Sequence, residues 1–249
     1  MNQSLSQYST LSFDCYGTLI DWESGIWDAL QPLIYASQRD DIGRKTGLET
    51  FAKIQSAQET ETPGLLYPEL LKRVHRTIAQ QLDLETTDSM DQTFSASVAH
   101  WPAFADSADA LRILKKHFKL VILSNVNRDG FAASAKKLGV EFDAIYTAED
   151  VGSYKPNPRN FEYMLERLKA DHGIASHQIL HTAQSLYHDH VPATAFHLAK
   201  AWIDRQGLQD SENWGATVRV EQRPQVDFVF STLGEMATLL DSPLPQSPD

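Results

Sequence analysis

Leu11-Ser12-Phe13-Asp14-Cys15-Tyr16-Gly17-Thr18-Leu19 is the stretch whose reading decides this chain's fold. Leu11-Ser12-Phe13 has strand character and runs into a carboxylate at Asp14, and Tyr16-Gly17-Thr18 turns the chain at once. Gly17 suits a backbone that must bend sharply where a strand ends. The next clear strand is Lys119-Leu120-Val121-Ile122-Leu123, continuous and apolar as expected in a sheet covered on both faces. Shorter strands are expected at Ala144-Ile145-Tyr146, Gln178-Ile179-Leu180-His181, Ala201-Trp202-Ile203 and Asp227-Phe228-Val229-Phe230. Helical periodicity fills the gaps, as from Ala108 to His117, Phe131 to Leu138 and Phe161 to Lys169. Strands alternating with helices of that length predict an α/β fold, a doubly wound parallel sheet.

About a hundred residues separate Asp14 from Lys119, several times what one crossover requires. Most of that stretch reads as helix, over 23–36, 48–60, 65–82 and 88–100. Leu66, Leu70, Leu71, Val74, Ile78 and Leu82 form one apolar stripe. The expected organisation is therefore a Rossmann-like core over 1–20 and 101–241, with a helical cap over 21–100 inserted after the first strand. Pro63-Gly64 would turn the chain within the cap, and Trp101-Pro102 would return it to the core. The Pro- and Ser-rich segment 242–249 is expected to fray, and Arg205 to Arg223 reads as a long surface loop. Ligands of open parallel sheets bind beyond the carboxyl ends of the strands, where Asp14, Ser124 and the residues after His181 fall. A cap leaving from Asp14 would cover that mouth and exclude water.

With 249 residues, 42% hydrophobic, the composition is that of an ordinary globular protein. The net charge of −11 comes with no dense Lys/Arg block, which argues against a nucleic-acid partner. Cys15 is the single cysteine, so no internal disulfide exists and a small buried packing role is expected of it. Segment 1–13 lacks the pattern of a signal peptide, and no stretch approaches ~18 uninterrupted apolar residues. A cytoplasmic protein with no membrane partner is the expectation.

Phe13-Asp14-Cys15-Tyr16-Gly17-Thr18-Leu19 resembles the first motif of the haloacid dehalogenase superfamily, whose leading aspartate attacks the substrate. Leu123-Ser124-Asn125 resembles its second motif and Tyr154-Lys155-Pro156 its third, while segment 181–193, with Asp189, stands where the fourth acidic motif belongs. The resemblance covers roughly 11–205 and implies a core of five parallel strands in the order 5-4-1-2-3. It also implies a hydrolase with Asp14 as nucleophile, Lys155 beside it and Asp189 helping to activate water. Tyr16, Thr18, Ser124, Asn125 and Gln184 are the expected substrate-binding residues. Such a carboxylate works if kept ionised and partly desolvated, forming an ester that water later cleaves. A nearby lysine stabilises that ionised form.

Two departures bear on the reaction. Phosphatases of the superfamily carry a second aspartate two positions after the nucleophile, where this chain has Tyr16. They also begin the fourth motif with Gly-Asp, where it has Ala183-Gln184. Both carry protons or Mg²⁺ in phosphoryl transfer. Halide leaves without a proton, so the sequence favours dehalogenation of a small 2-haloacid with no metal and no cofactor. A Mg²⁺-dependent phosphatase and a catalytically weak binding protein are the alternatives. The L-2-haloacid dehalogenases, which the Asp-x-Tyr-Gly-Thr-Leu form resembles, usually place a tyrosine six residues after the lysine, where Phe161 stands. They have Ser and Asn where Gln184 and Leu186 stand, and they use a cap arginine as halide cradle. Lys53 and the segment Gln58 to Tyr67 are the nearest counterparts of that arginine. His181, His188 and His190 do not have metal-ligand spacing, although His188 or His190 is placed to touch substrate or water. The partner is thus a small anionic molecule. Dimerisation occurs among related enzymes, with no interface legible in the sequence.

Overall fold

A computed structural model describes residues 4–211 and 216–241. The expected fray over 242–249 and part of the expected surface loop, 212–215, lie outside the described residues. Strand β1 (Thr10–Phe13) is followed by helices α1 (Trp22–Ala36), α2 (Arg44–Glu61), α3 (Tyr67–Gln81) and α4 (Asp88–Ala96). A 3₁₀ turn at Ser97–His100 takes up the end of what the periodicity reads as one helix over 88–100. The chain continues through α5 (Ser107–Leu114), β2 (Lys119–Ser124), α6 (Arg128–Leu138), β3 (Ala144–Thr147), α7 (Ala148–Val151) and α8 (Arg159–His172). After β4 (Ile179–Ala183) comes a π-helical turn at Leu186–His190, then α9 (Val191–Ala195), β5 (Ala199–Ile203), β6 (Phe228–Phe230) and α10 (Leu233–Asp241).

The sheet is parallel throughout, in the order β3-β2-β1-β4-β5-β6. It is the expected doubly wound α/β arrangement with β6 added beside β5. Alternation along β2 shows how both faces are covered. Leu120 and Ile122 join a core cluster with Leu11 and Phe13, while Val121 and Leu123 pack on the other face with Phe161, Met164 and Leu168. The first cluster runs on into the helices between β1 and β2, through Ile26, Leu30, Phe51, Leu70, Val74 and Phe94. Of the stripe on α3, Leu70, Leu71, Val74 and Ile78 are buried, whereas Leu66 at the helix start is half exposed. The return from the helices is tightly packed: a Cβ on Gly25 would fall 2.2 Å from the Trp101 ring.

Because the strands are parallel, the segments after Phe13, Ser124 and Ala183 leave one edge of the sheet. β1 lies between β2 and β4, so Asp14 is central on that edge. Helices α2 and α3 stand over it: Phe51, Ala52, Gln55, Ser56 and Tyr67 line the same cavity as Asp14. Among the described residues no helix is long and apolar enough to cross a membrane.

Candidate active site

The turn after β1 is shaped by its own sequence. Gly17 has φ +98°, a region disfavoured for side-chain-bearing residues, and a Cβ there would fall 3.1 Å from Gln184 Oε1. The Gly17 N–H donates to Ile20 O at 2.7 Å, closing the turn. Thr18 folds back so that its hydroxyl donates to Asp14 Oδ2 at 2.8 Å, and its Oγ1 accepts from the Gln184 N–H at 2.9 Å. Arg205 holds this loop from outside, donating Nε–H to Thr18 O at 2.8 Å while its guanidinium pairs with Asp106 and lies 3.9 Å from the Phe104 ring centroid.

Lys155 enters from the loop before α8 and is 1% exposed. Its ammonium donates to Asp14 Oδ1 at 2.9 Å, to Leu123 O at 2.9 Å and to Asp189 Oδ1 at 2.7 Å. All three of its protons are thereby directed. Burial alone would favour the neutral amine, but the two carboxylates outweigh it and raise the Lys155 pKa. The carboxylates differ. Burial raises Asp14, with Lys155 opposing and Asp189 adding to the rise. Burial also pushes on Asp189, but Lys155 and His181 overcome it and hold that carboxyl well below the usual range. The two carboxyls are thus pushed in opposite directions.

Asp189 sits in the π-helical turn rather than at a helix start, and His181 Nε2 lies 3.1 Å from its Oδ1. Ser12 Oγ meets His181 Nδ1 at 2.9 Å, across the register pair Ser12↔His181 of β1 and β4. The sequence does carry a signal for this chain of contacts: two polar residues inside apolar strands require partners when buried. Phe161 is fully buried, its ring edge-on to His181 at 5.0 Å.

The structure brings Asp14, Tyr16, Asn125, Lys155, Gln184, His188 and Asp189 to one cavity, with an empty volume of about 770 Å³ including its open mouth. Trp22, Phe51, Tyr67 and Trp101 form its aromatic side. Ser124 lies just behind the wall, and its Oγ has no partner within the protein, as is also true of Asp189 Oδ2 and His188 Nε2. Thr18 is fully buried and meets the nucleophile position rather than the cavity. The Tyr16 hydroxyl turns away, 2.9 Å from Ser134 Oγ. Asn125 is committed to the main chain of Lys155, its Oδ1 accepting from the N–H at 2.7 Å and its Nδ2 donating to the carbonyl at 3.0 Å. Gln184 Nε2 donates to Gln206 Oε1 at 3.1 Å. His190 does not reach the cavity, its Nε2 lying 2.9 Å from Ala183 O. Cys15 is buried, and burial drives its thiol up.

The segment considered for a cap cation behaves differently from expectation. Lys53 is exposed, and the polar groups that α2 and α3 supply to the cavity are Gln55, Ser56 and Tyr67, with Glu59 buried beside Gln55. Glu59 is 5% exposed and accepts from Gln55 Nε2 at 2.9 Å, and burial pushes its carboxyl up to about 8. Sequence reasoning missed it, because an acidic residue on a helix reads as solvated unless the facing surface is known. Among the described residues lining the cavity, Lys155 is the one cation.

Residues 8–181 match the family model described as haloacid dehalogenase-like hydrolase. The chain belongs to that family. It is a hydrolase, and its curated relatives include an (S)-2-haloacid dehalogenase of Pseudomonas putida, 26% identical over 92% of this chain and 94% of the relative. A second, (S)-2-haloacid dehalogenase 4A of Burkholderia cepacia, is 24% identical over 78% of this chain and 82% of the relative. The fold is shared with L-2-haloacid dehalogenase from Xanthobacter autotrophicus, with a TM-score of 0.77 at 20% identity over 94% of this chain and 98% of that one. It is also shared with a HAD-hydrolase of Bacillus subtilis bound to magnesium, with a TM-score of 0.73 at 18% identity over 95% and 100%. A shared fold does not fix the chemistry, and the residues of this hydrolase must be judged individually.

Proposed function

We propose that this hydrolase opens the carbon–halogen bond of a small 2-haloacid through a covalent ester at Asp14, without a metal. The observation that carries the reading is the placement of Lys155 Nζ, 2.9 Å from Asp14 Oδ1 and 2.7 Å from Asp189 Oδ1 in one buried cluster. The ammonium favours the ionised form of Asp14 against burial, and a partly desolvated carboxylate is a stronger nucleophile. Asp14 attacks the halogen-bearing carbon from the side opposite the halogen, the carbon–oxygen bond forms, and halide leaves with the bonding electrons. Water then cleaves the ester at its carbonyl carbon, giving the 2-hydroxyacid and restoring Asp14. Lys155 and Thr18 hold the two oxygens of Asp14. Asn125 serves by fixing Lys155.

The leaving group needs no acid, which agrees with Tyr16, whose hydroxyl is turned to Ser134 and kept protonated by burial. Magnesium fits the residues poorly. Both oxygens of Asp14 accept from Lys155 and Thr18, Asp189 Oδ1 accepts from Lys155, and Gln184 is a neutral third donor whose amide nitrogen is directed to Gln206. No step is routed through a metal.

The test is halide release from L-2-chloropropionate beside phosphate release from p-nitrophenyl phosphate, each with and without EDTA. Halide release that survives EDTA and vanishes in Asp14→Asn is the expected result. Magnesium-dependent phosphate release would overturn the reading.

A further inference from the structure

Ser12 and His181 are polar residues inside β1 and β4, and both are fully buried. His181 lies against Phe161, whose ring is edge-on at 5.0 Å, so an apolar side chain would pack there as well. Burying an imidazole and a hydroxyl costs solvation that packing alone does not return. Their hydrogen bonds lead in one direction. Ser12 Oγ meets His181 Nδ1 at 2.9 Å, and His181 Nε2 meets Asp189 Oδ1 at 3.1 Å. An ionised carboxylate only accepts, so Nε2 carries a proton, while the Ser12 hydroxyl serves Nδ1. Lys155 holds the same Asp189 oxygen at 2.7 Å. Asp189 lines the cavity with Asp14, and its Oδ2 has no partner within the protein. One donor on Oδ1 would leave the carboxyl free to turn about that contact, and the second donor, anchored in the sheet, stops it.

We propose that His181, braced by Ser12, is a positioning residue for hydrolysis of the Asp14 ester: it fixes Asp189 so that Oδ2 is presented to the attacking water. The inference rests on the ester reading above. Lys155 bonds to both carboxyls, so Asp189 stands beside the carbon that water attacks. Lys155 and His181 hold the Asp189 carboxyl well below the usual range against burial, which keeps it ionised and able to accept. The water oxygen bonds to the ester carbonyl carbon as its proton passes to Asp189 Oδ2. The tetrahedral centre then breaks its bond to the alkoxide oxygen, which leaves with the electron pair and takes that proton from Asp189. The Asp14 carboxyl releases its own proton to solvent. The oxygens of Asp14 are held by Lys155 and Thr18 and not by His181, so the first step does not depend on the brace. The charged and titratable groups facing His181 and Asp189 are Asp14, Lys155, His188, His190 and Lys200, the last opposite His181 in the β4–β5 register.

The experiment is pre-steady-state halide release from L-2-chloropropionate, with intact-mass measurement of the protein, in wild type, His181→Leu, His181→Gln and Ser12→Ala. His181→Leu is expected to release its first halide at the wild-type rate and then to accumulate the ester on Asp14. Loss of that ester is roughly 10²-fold slower, and its acid limb lies at higher pH than in wild type. His181→Gln keeps a donor for Asp189 and is expected to restore most of the rate, while Ser12→Ala slows ester loss by a smaller factor and spares the burst. Wild-type ester loss in His181→Leu, or burst and ester loss slowed equally, overturns the assignment and leaves the dehalogenase reading standing. If His181→Leu does not fold, wild-type ester loss in Ser12→Ala overturns it instead. A wild type that releases no halide sinks the dehalogenase reading itself, and this inference with it.

Discussion

Asn125 holds Lys155 by both of its main-chain polar groups, with its Oδ1 2.7 Å from the Lys155 nitrogen and its Nδ2 3.0 Å from the carbonyl oxygen. The grip joins the end of β2 to the loop before α8, two segments that meet only in the folded chain. Removing it frees the backbone from which the buried ammonium projects. Asn125→Ala is expected to cost about 1–3 kcal/mol in urea unfolding, the penalty for unpaired buried backbone groups. It is also expected to lower kcat more than it raises KM. A variant with unchanged kcat and stability would show that the clamp is incidental.

Lys155 separates two carboxylates that are both nearly excluded from solvent. Replacing it by Met leaves like charges buried together, and the cost is expected to be roughly 3–5 kcal/mol. The double variant Lys155→Met/Asp189→Asn, with a single remaining carboxylate, should regain part of that loss. Chemical denaturation of the three proteins measures it. If the double variant is no more stable than the single one, repulsion between Asp14 and Asp189 is not the cause.

Asp14→Asn retains the shape of the side chain and its contact with Thr18 but removes the attacking oxyanion. Activity is expected to fall by ~10³-fold or more, with folding intact by circular dichroism. A single turnover of wild type in ¹⁸O-water complements the variant. Label should enter the Asp14 side chain under the ester route and stay out of it if water attacks the substrate directly.

Glu59 links stability to pH. Its carboxyl titrates near 4.5 in an unfolded chain and at about 8 in the fold, so between those values the native state keeps a proton that the unfolded chain has released. Its favourable contribution is therefore complete below pH 4.5 and is lost as the pH climbs to about 8, by on the order of 4 kcal/mol. Glutamine cannot titrate. The stability of Glu59→Gln relative to wild type should thus improve steadily from pH 5 to pH 8 and then level off. Parallel stability curves for the two proteins would refute the burial argument.

The sequence by itself determined the α/β fold, the strands and the point where the chain leaves the sheet, because strand and helix periods are local properties. A carboxylate or hydroxyl ending an apolar strand is visible along the chain at Asp14 and Ser124, whereas Lys155 and Asp189 were picked out by the resemblance to the haloacid dehalogenase motifs. Only the tertiary structure decided what those side chains meet. Asn125 lines the cavity yet has its amide tied to the main chain of Lys155, and Thr18 supports Asp14 from behind. Ser12 and His181 pair across two strands far apart in sequence. The Glu59 carboxyl is pushed up to about 8 because folding buries it on α2. Burial and hydrogen-bond partners depend on the superposition of distant segments, and no spacing in the chain encodes them.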